Sequence, residues 1–189
     1  MKNSCNIGKG AAIVLIMLLF SGCGVKKNAG EHAVKSVSEK TALKDAIQTG
    51  YGRFLLPSGW MKNEEHSTDD KLFLVPDNYD GNGVPDNISV EYSTNHYTKE
   101  NADEFGKAIL RQLSTQLQGE ADGQVTASGG STENGDPLLV YEFSLSDRTC
   151  TQYYIVGERC HVLIYETNLD NSEDCDAAAK EIVNSFQWK

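Results

Sequence analysis

The sequence lacks an apolar run long enough to cross a membrane. Its N-terminal run, AAIVLIMLLF at residues 11–20, covers about 15 Å as a helix, roughly half of a ~30 Å hydrocarbon core. Lys2 and Lys9 precede this run and small residues follow it, an order typical of a secretory signal. We therefore predict that residues 1–22 are a signal peptide that takes no part in the fold.

The end of this signal carries a short motif. The segment LFSGC at residues 19–23 resembles the lipobox of bacterial lipoproteins, although Phe20 stands where leucine is more usual. The resemblance implies cleavage just before Cys23 and a diacylglyceryl thioether on its sulfur. Several acyl chains, palmitate among them, give stable anchoring where one is marginal, so the domain is expected on the outer, extracytoplasmic face of the cell membrane. The alternative is ordinary signal-peptide cleavage, with Cys23 incidental.

Basic residues are also in short supply. Lysines and arginines number 17 against 27 aspartates and glutamates, and loss of Lys2 and Lys9 with the signal takes the formal charge from -10 to -12. Such an acidic chain is poorly suited to nucleic acid or to anionic headgroups. We expect no nucleic-acid partner. Besides the membrane that holds its anchor, the chain is expected to contact another envelope or surface protein with basic patches, or cations.

The rest of the chain divides into two parts by composition. Residues 23–50 are polar without a sustained apolar face and are predicted to be a lipidated cysteine followed by a tether, in which residues 41–48 are compatible with a short helix. Residues 51–189 alternate apolar segments with glycine-rich turns. That length is enough to bury one core, so a single globular domain is predicted.

Hydrophobic periodicity within the domain predicts three strands, a helix, four strands and a helix. This order favours an α+β fold, with helices laid on an antiparallel sheet. Both faces of the last two strands carry apolar side chains, so these strands are predicted to be central. The strands are expected at 52–56, 71–75, 87–93, 124–128, 138–145, 149–156 and 160–167, and the helices at 101–118 and after Ser172.

Several segments of the domain together carry a family resemblance. An early FLLPSGW, an alternating NISV strand before a long helix, and a C-terminal AAAKEIVNSFQWK resemble the PsbP-like superfamily. That group includes an extrinsic photosystem II subunit, a Ran-binding nuclear import factor and many bacterial lipoproteins. The resemblance, over roughly residues 51–189, implies an α/β/α sandwich around a central antiparallel sheet. It also implies a domain that binds partners rather than catalyses.

The stretch PDNYDGNGVPDNISV, residues 76–90, presents a candidate metal site. In a twelve-residue calcium loop its side chains occupy the early ligand positions, but Ser89 stands where such loops need a bidentate glutamate. Without that glutamate, calcium binding is expected to be weak, at about millimolar concentration. The alternative is a strand connection, since Asn, Asp and Gly are also what turns require. The candidate ligands are Asn78, Asp80, Asn82 and Asp86.

No catalytic set emerges from the sequence. The four histidines have no HExxH arrangement, the acidic loop around His66 is best explained as a solvated surface, and Ser58 lacks the glycines of a nucleophile elbow. The segment SGGSTENGD lacks the lysine of a phosphate loop and is expected to be a hairpin loop. We predict that the protein is not an enzyme and has no cofactor beyond weakly bound calcium. An enzyme whose site is assembled from distant residues is the remaining alternative.

Three cysteines remain after the signal and the lipidation site are set aside. With a tight turn at Gly157 and Glu158, Cys150 and Cys160 are expected on opposite faces of a hairpin, so a bond between them is disfavoured. Cys160 and Cys175 are the predicted disulfide, provided that the last helix packs on the same sheet face as Cys160. The alternative is that all three are small buried side chains.

Overall fold

The computed structural model describes residues 46–118 and 125–189. The predicted signal peptide and Cys23 lie outside these ranges. No helix within them is both long and apolar enough to cross a membrane. In chain order the elements are β1 (Ala46–Gln48), β2 (Gly52–Leu55), β3 (Trp60–Lys62), β4 (Lys71–Pro76), β5 (Asn87–Thr94), α1 (Ala102–Gln116), β6 (Thr126–Ser131), β7 (Pro137–Leu145), β8 (Arg148–Val156), β9 (Cys160–Asn168), α2 (Glu173–Ser185) and β10 (Gln187–Trp188).

Seven of the strands form one antiparallel sheet, in the order β3-β4-β5-β9-β8-β7-β6. Strand β9 lies at the centre, between β5 and β8. Its apolar side chains enter both cores, since Val162 and Ile164 lie on one face and Leu163 and Tyr165 on the other. The prediction of central strands covered on both sides is therefore confirmed.

One helix covers each face of this sheet. Helix α1 closes one core through a stripe of apolar residues: Ala102, Phe105, Ile109 and Leu113. Helix α2 closes the other through Cys175, Ala178, Ala179, Ile182 and Val183. Its predicted start is confirmed, because the Ser172 hydroxyl accepts the Cys175 N–H at 3.4 Å and so caps the first turn. These layers make the predicted α/β/α sandwich.

A second, three-stranded sheet lies on the α2 side, with β2 between β1 and β10. Phe54 on β2 is 1% exposed and belongs to the core that α2 closes. Ile47 on β1 packs against the same core. The predicted tether therefore ends earlier than residue 50, and Ala46–Gln48 is a strand rather than the end of a short helix. Pairing with β2 overrides the weak local helical pattern.

The region predicted as a hairpin loop also differs. Strand β6 runs through Ser131, so the first part of SGGSTENGD is strand and the connection to β7 shortens to residues 132–136. Gly135 has a φ of 82° in this connection, a conformation that glycine adopts readily. Pairing with β7, residue for residue from Thr126 to Ser131, holds the glycine-rich stretch extended.

Candidate functional sites

The acidic loop between β4 and β5 is held by its own hydrogen bonds. Asp80 Oδ1 accepts the Asn82 N–H at 2.9 Å. Hydrogen bonds from the Asn82 side chain and from this N–H lower the pKa of Asp80. The Tyr79 hydroxyl donates to the Gly83 carbonyl at 2.9 Å, and Gly83 has a φ of 73°. These are the contacts of an Asx turn closed by a glycine. They account for Asp80 and Gly83 at these positions of the loop.

Asp86, the last of the predicted ligands, ties the loop to a distant part of the chain. Its Oδ1 accepts the Leu169 N–H at 2.8 Å, just beyond the end of β9. Burial raises the pKa of Asp86, and the neighbouring Asp170 carboxylate raises it further. The contact fixes the loop against the connection between β9 and α2.

The predicted calcium ligands do not all meet. Asn78 and Asp86 line a shallow cavity of about 290 Å³ with Asp170, whereas Asp80 and Asn82 do not line it. Within residues 46–118 and 125–189, no group of three or more His, Cys, Asp or Glu side chains is arranged to hold a metal ion. A weak cation site remains a prediction.

The cysteine prediction requires correction. Cys150, Cys160 and Cys175 are all free, and helix α2 does pack on the expected sheet face. However, Cys175 lies in the first turn of α2 with its sulfur 4.0 Å from the Thr167 carbonyl, at the end of β9 opposite Cys160. Seven strand positions separate Thr167 from Cys160, or about 23 Å. The two thiols therefore cannot pair.

The turn between β8 and β9 is also longer than predicted. Val156 faces His161, whereas a two-residue turn at Gly157 and Glu158 would place it opposite Arg159. Arg159 instead enters the left-handed region with a φ of 59°. The register moves by two residues, which leaves the side chains on their predicted faces. Cys150 and Cys160 accordingly belong to opposite faces of the sheet, as expected.

A buried carboxyl group on β9 was missed from the sequence. Glu166 is 1% exposed, and the Tyr153 hydroxyl donates to its Oε2 at 3.4 Å. No described residue offers a hydrogen-bond partner to its Oε1. Burial raises the pKa of Glu166 to about 8, with smaller contributions from the adjacent Asp176 carboxylate of α2. Glu166 therefore carries a proton at neutral pH.

That proton explains how two carboxyl groups lie side by side. Glu166 and Asp176 are within hydrogen-bond distance, and two carboxylates repel unless one is protonated. A proton on Glu166 is donated to Asp176, and the bond lowers the pKa of Asp176. Asn168 Nδ2 also donates to Asp176 Oδ1 at 3.1 Å. The cluster joins β9 to α2, with Glu166 buried and Asp176 half-buried.

The signal for Glu166 was present in the sequence. Every second residue of a strand lies on the same face. Val162 and Ile164 face α2, so Glu166, two positions further along β9, lies on the same buried face. His161 is the other buried titratable side chain of this strand. Burial lowers the pKa of His161 to about 4, and its Nδ1 lies 3.0 Å from Asn95 Nδ2. It is a hydrogen-bonded core residue.

Strand β6 forms an exposed edge of the main sheet. All six of its residues are exposed, and among the described residues it pairs with β7 alone. Its sequence, TASGGS, carries no charge and no proline. An edge of this kind is a template for another strand.

The sequence matches no protein-family model and no curated protein. The structure, by contrast, is similar to the solution structure of cyanobacterial PsbP (CyanoP) from Synechocystis sp. PCC 6803, with a TM-score of 0.51 at 14% identity over 82% of this chain and 99% of that one. A crystal structure from Bacteroides thetaiotaomicron VPI-5482 matches with a TM-score of 0.42 at 12% identity, over 76% of this chain and 47% of that one.

The similarity to CyanoP defines the class of fold. The chain has a PsbP-like α+β fold, with two helices on a large antiparallel sheet, and the predicted fold class is confirmed. At this level of identity the likeness concerns the fold alone. What the protein does has to be argued from its own surfaces.

Proposed function

We propose that this protein is a membrane-anchored, extracytoplasmic lipoprotein whose PsbP-like domain is a non-catalytic binding or assembly module. The observation that carries the binding role is the exposed, uncharged β6 edge. A protein that stays alone in solution usually protects such an edge, because its unpaired backbone groups recruit other strands. An edge that no described residue covers favours a partner.

The anchoring rests on the lipobox-like LFSGC and on the distance it allows. Residues 24–45 separate Cys23 from the first described strand. A segment of that length reaches at most about 75 Å when fully extended. The domain is therefore free to meet partners well above the membrane surface while its acyl chains stay in the bilayer.

Anchoring and binding are tested separately. Intact mass spectrometry of the full-length protein, purified from bacterial membranes, should give a chain that begins at Cys23 and carries acyl mass. The Cys23→Ser variant should leave the membrane fraction. Crosslinking in intact cells, followed by purification, should recover the same envelope protein repeatedly. An unmodified Cys23, or repeated recovery of the protein by itself, contradicts the corresponding half of the proposal.

A cation-responsive domain is a second candidate, favoured by the cavity that Asn78, Asp86 and Asp170 line together. A ligand that binds only the folded state raises the unfolding midpoint. Thermal unfolding with chelator, and with calcium at about millimolar concentration, should then show a shift for the wild type. The Asp80→Ala, Asp86→Ala double variant should show none. Equal midpoints in both media for the wild type exclude this candidate.

A further inference from the structure

The two edges of the main sheet are built differently. Strand β3 is three residues long and carries Lys62, and short length and lysine are both devices that block edge pairing. Strand β6 at the other edge is six residues long and has neither device. Within residues 46–118 and 125–189, the β6 edge is therefore available for pairing.

The free backbone groups of β6 follow from its pairing. The Thr132 N–H donates to the Asp136 carbonyl at 2.9 Å, which continues the β6–β7 register beyond Ser131. Hydrogen-bonded and non-hydrogen-bonded pairs alternate along an antiparallel ladder. The N–H and C=O groups of Ala127, Gly129 and Ser131 consequently point away from β7.

Two glycines leave space for the side chains of an added strand. A Cβ on Gly130 would meet nothing within 4 Å, and one on Gly129 would meet only the Leu138 carbonyl, at 3.6 Å. Their partners on β7, Leu138 and Leu139, are only partly buried and lie on opposite faces of the sheet. Large side chains on a neighbouring strand commonly cover edge glycines. Here they would also cover these two leucines.

The charge around the edge has one sign. Residues 126–142 contain three acidic side chains and no basic one. Asp136 is neutralised by Lys99, whose Nζ lies 2.7 Å from its Oδ1. Glu133 and Glu142 are exposed, one near each end of β6. A partner strand with basic ends complements this surface.

We propose that β6 is the docking edge of the module, and that its occupant is an extended segment of another protein with a central pair of large apolar residues and basic flanks. The inference rests on the proposed binding function and names the partner's chemistry. A second copy of this chain fits poorly. It would set glycines and small side chains against one another and bring two acidic surfaces together.

The test uses the full-length Cys23→Ser protein and a synthetic peptide. The peptide has phenylalanine and isoleucine at its centre, threonine and valine beside them, and two lysines at each end. Residue-resolved hydrogen exchange should show fast exchange at Ala127, Gly129 and Ser131 in the free protein and protection when peptide is added. A peptide with glutamates at its ends should bind at least about tenfold more weakly, because the lysine pairs with Glu133 and Glu142 are lost.

Substitutions on the edge provide the second arm. Gly129→Pro removes an outward N–H without breaking the β7 ladder and should weaken peptide binding at least about tenfold. Ser131→Pro tests the same point if the first variant does not fold. Glu142→Lys should remove most of the preference between the two peptides, because Glu133 alone is then left to favour basic ends. Glu104→Lys, the same charge change on exposed α1, should leave that preference unchanged.

Each other outcome counts against the inference. Protection of these amides in the free protein at every concentration would mean that the chain's own residues cover the edge. Protection that grows with protein concentration would mean a second copy. No peptide binding, or binding that both proline variants retain, would also overturn it. Cellular crosslinking that recovers a partner equally well with Gly129→Pro would leave the proposed function standing and remove β6 from it.

Discussion

Replacing Glu166 with glutamine removes one ionisable group from the core and changes little else. The glutamine amide has nearly the same shape and can donate to Asp176, as the protonated carboxyl does. Because the wild-type carboxyl must lose its proton at high pH inside the core, we expect the Glu166→Gln variant to be the more stable protein above about pH 8. Near pH 5 the two should be close in stability.

The size of the effect follows from the difference between the pKa of Glu166 in the folded chain and its pKa in the unfolded chain. Glu166 keeps its proton to about pH 8 in the folded chain, against an ordinary value of 4.5, which we take for the unfolded chain. Between these values the folded state binds more protons, so the stabilisation is complete below pH 4.5 and is lost as pH rises through the folded pKa. Each pH unit of that window is worth about 1.4 kcal/mol, giving up to about 5 kcal/mol in total.

The assay is urea unfolding of both proteins between pH 5 and 8.5, with the difference in unfolding free energy taken at each pH. The difference is needed because burial lowers the pKa of His161 from 6.5 to about 4, so His161 makes the stability of both proteins rise with pH up to about 6.5. Glu104→Gln on exposed α1 is the control. A difference between wild type and Glu166→Gln that stays within about 1 kcal/mol across this range would refute the reasoning.

Three further results are expected. Gly52→Ala places a Cβ 2.6 Å from a carbonyl of β10 and should cost about 2 kcal/mol in urea unfolding, whereas Gly50→Ala, with nothing within 4 Å, should cost far less. Asp86→Ala should lower stability by about 1 kcal/mol in the absence of calcium, because a backbone N–H loses its acceptor. Asp86→Asn keeps that acceptor and should not. Site-resolved alkylation of the native protein should modify half-buried Cys160 before Cys175, and its mass spectrum should contain no peptide joining the two.

The central position of β8 and β9 was predictable because their sequences place apolar side chains on both faces of the sheet. Such strands are stable only where both faces are covered. Strand β1 was not predictable, since three residues of mixed character carry almost no periodic signal. It forms because it pairs with β2 and because Ile47 packs against the core that α2 closes. Tertiary pairing decided the outcome there.

The candidate sites divide in the same way. The turn in the acidic loop could be predicted from the sequence, because Asp80 and Gly83 form hydrogen bonds with residues close to them in the chain. The contact from Asp86 to Leu169 was not readable, because it joins residues 83 positions apart. The error about Cys160 and Cys175 has the same origin. Helix α2 packs on the sheet face that the disulfide prediction required, but the position of α2 along β9 is set by the short connection at Ser172.

The three-stranded sheet sets an order on how the chain can fold. Strand β2 is flanked by β1 and by β10, and its Phe54 belongs to a core completed by α2. The chain is synthesised from its N-terminus, so β2 and Phe54 are made before β10, which lies more than 100 residues later in the sequence. Such non-local contacts form slowly. During that interval an apolar strand is exposed to other chains. The early part of this protein therefore depends on the late part, and truncated or stalled chains should aggregate rather than fold in part.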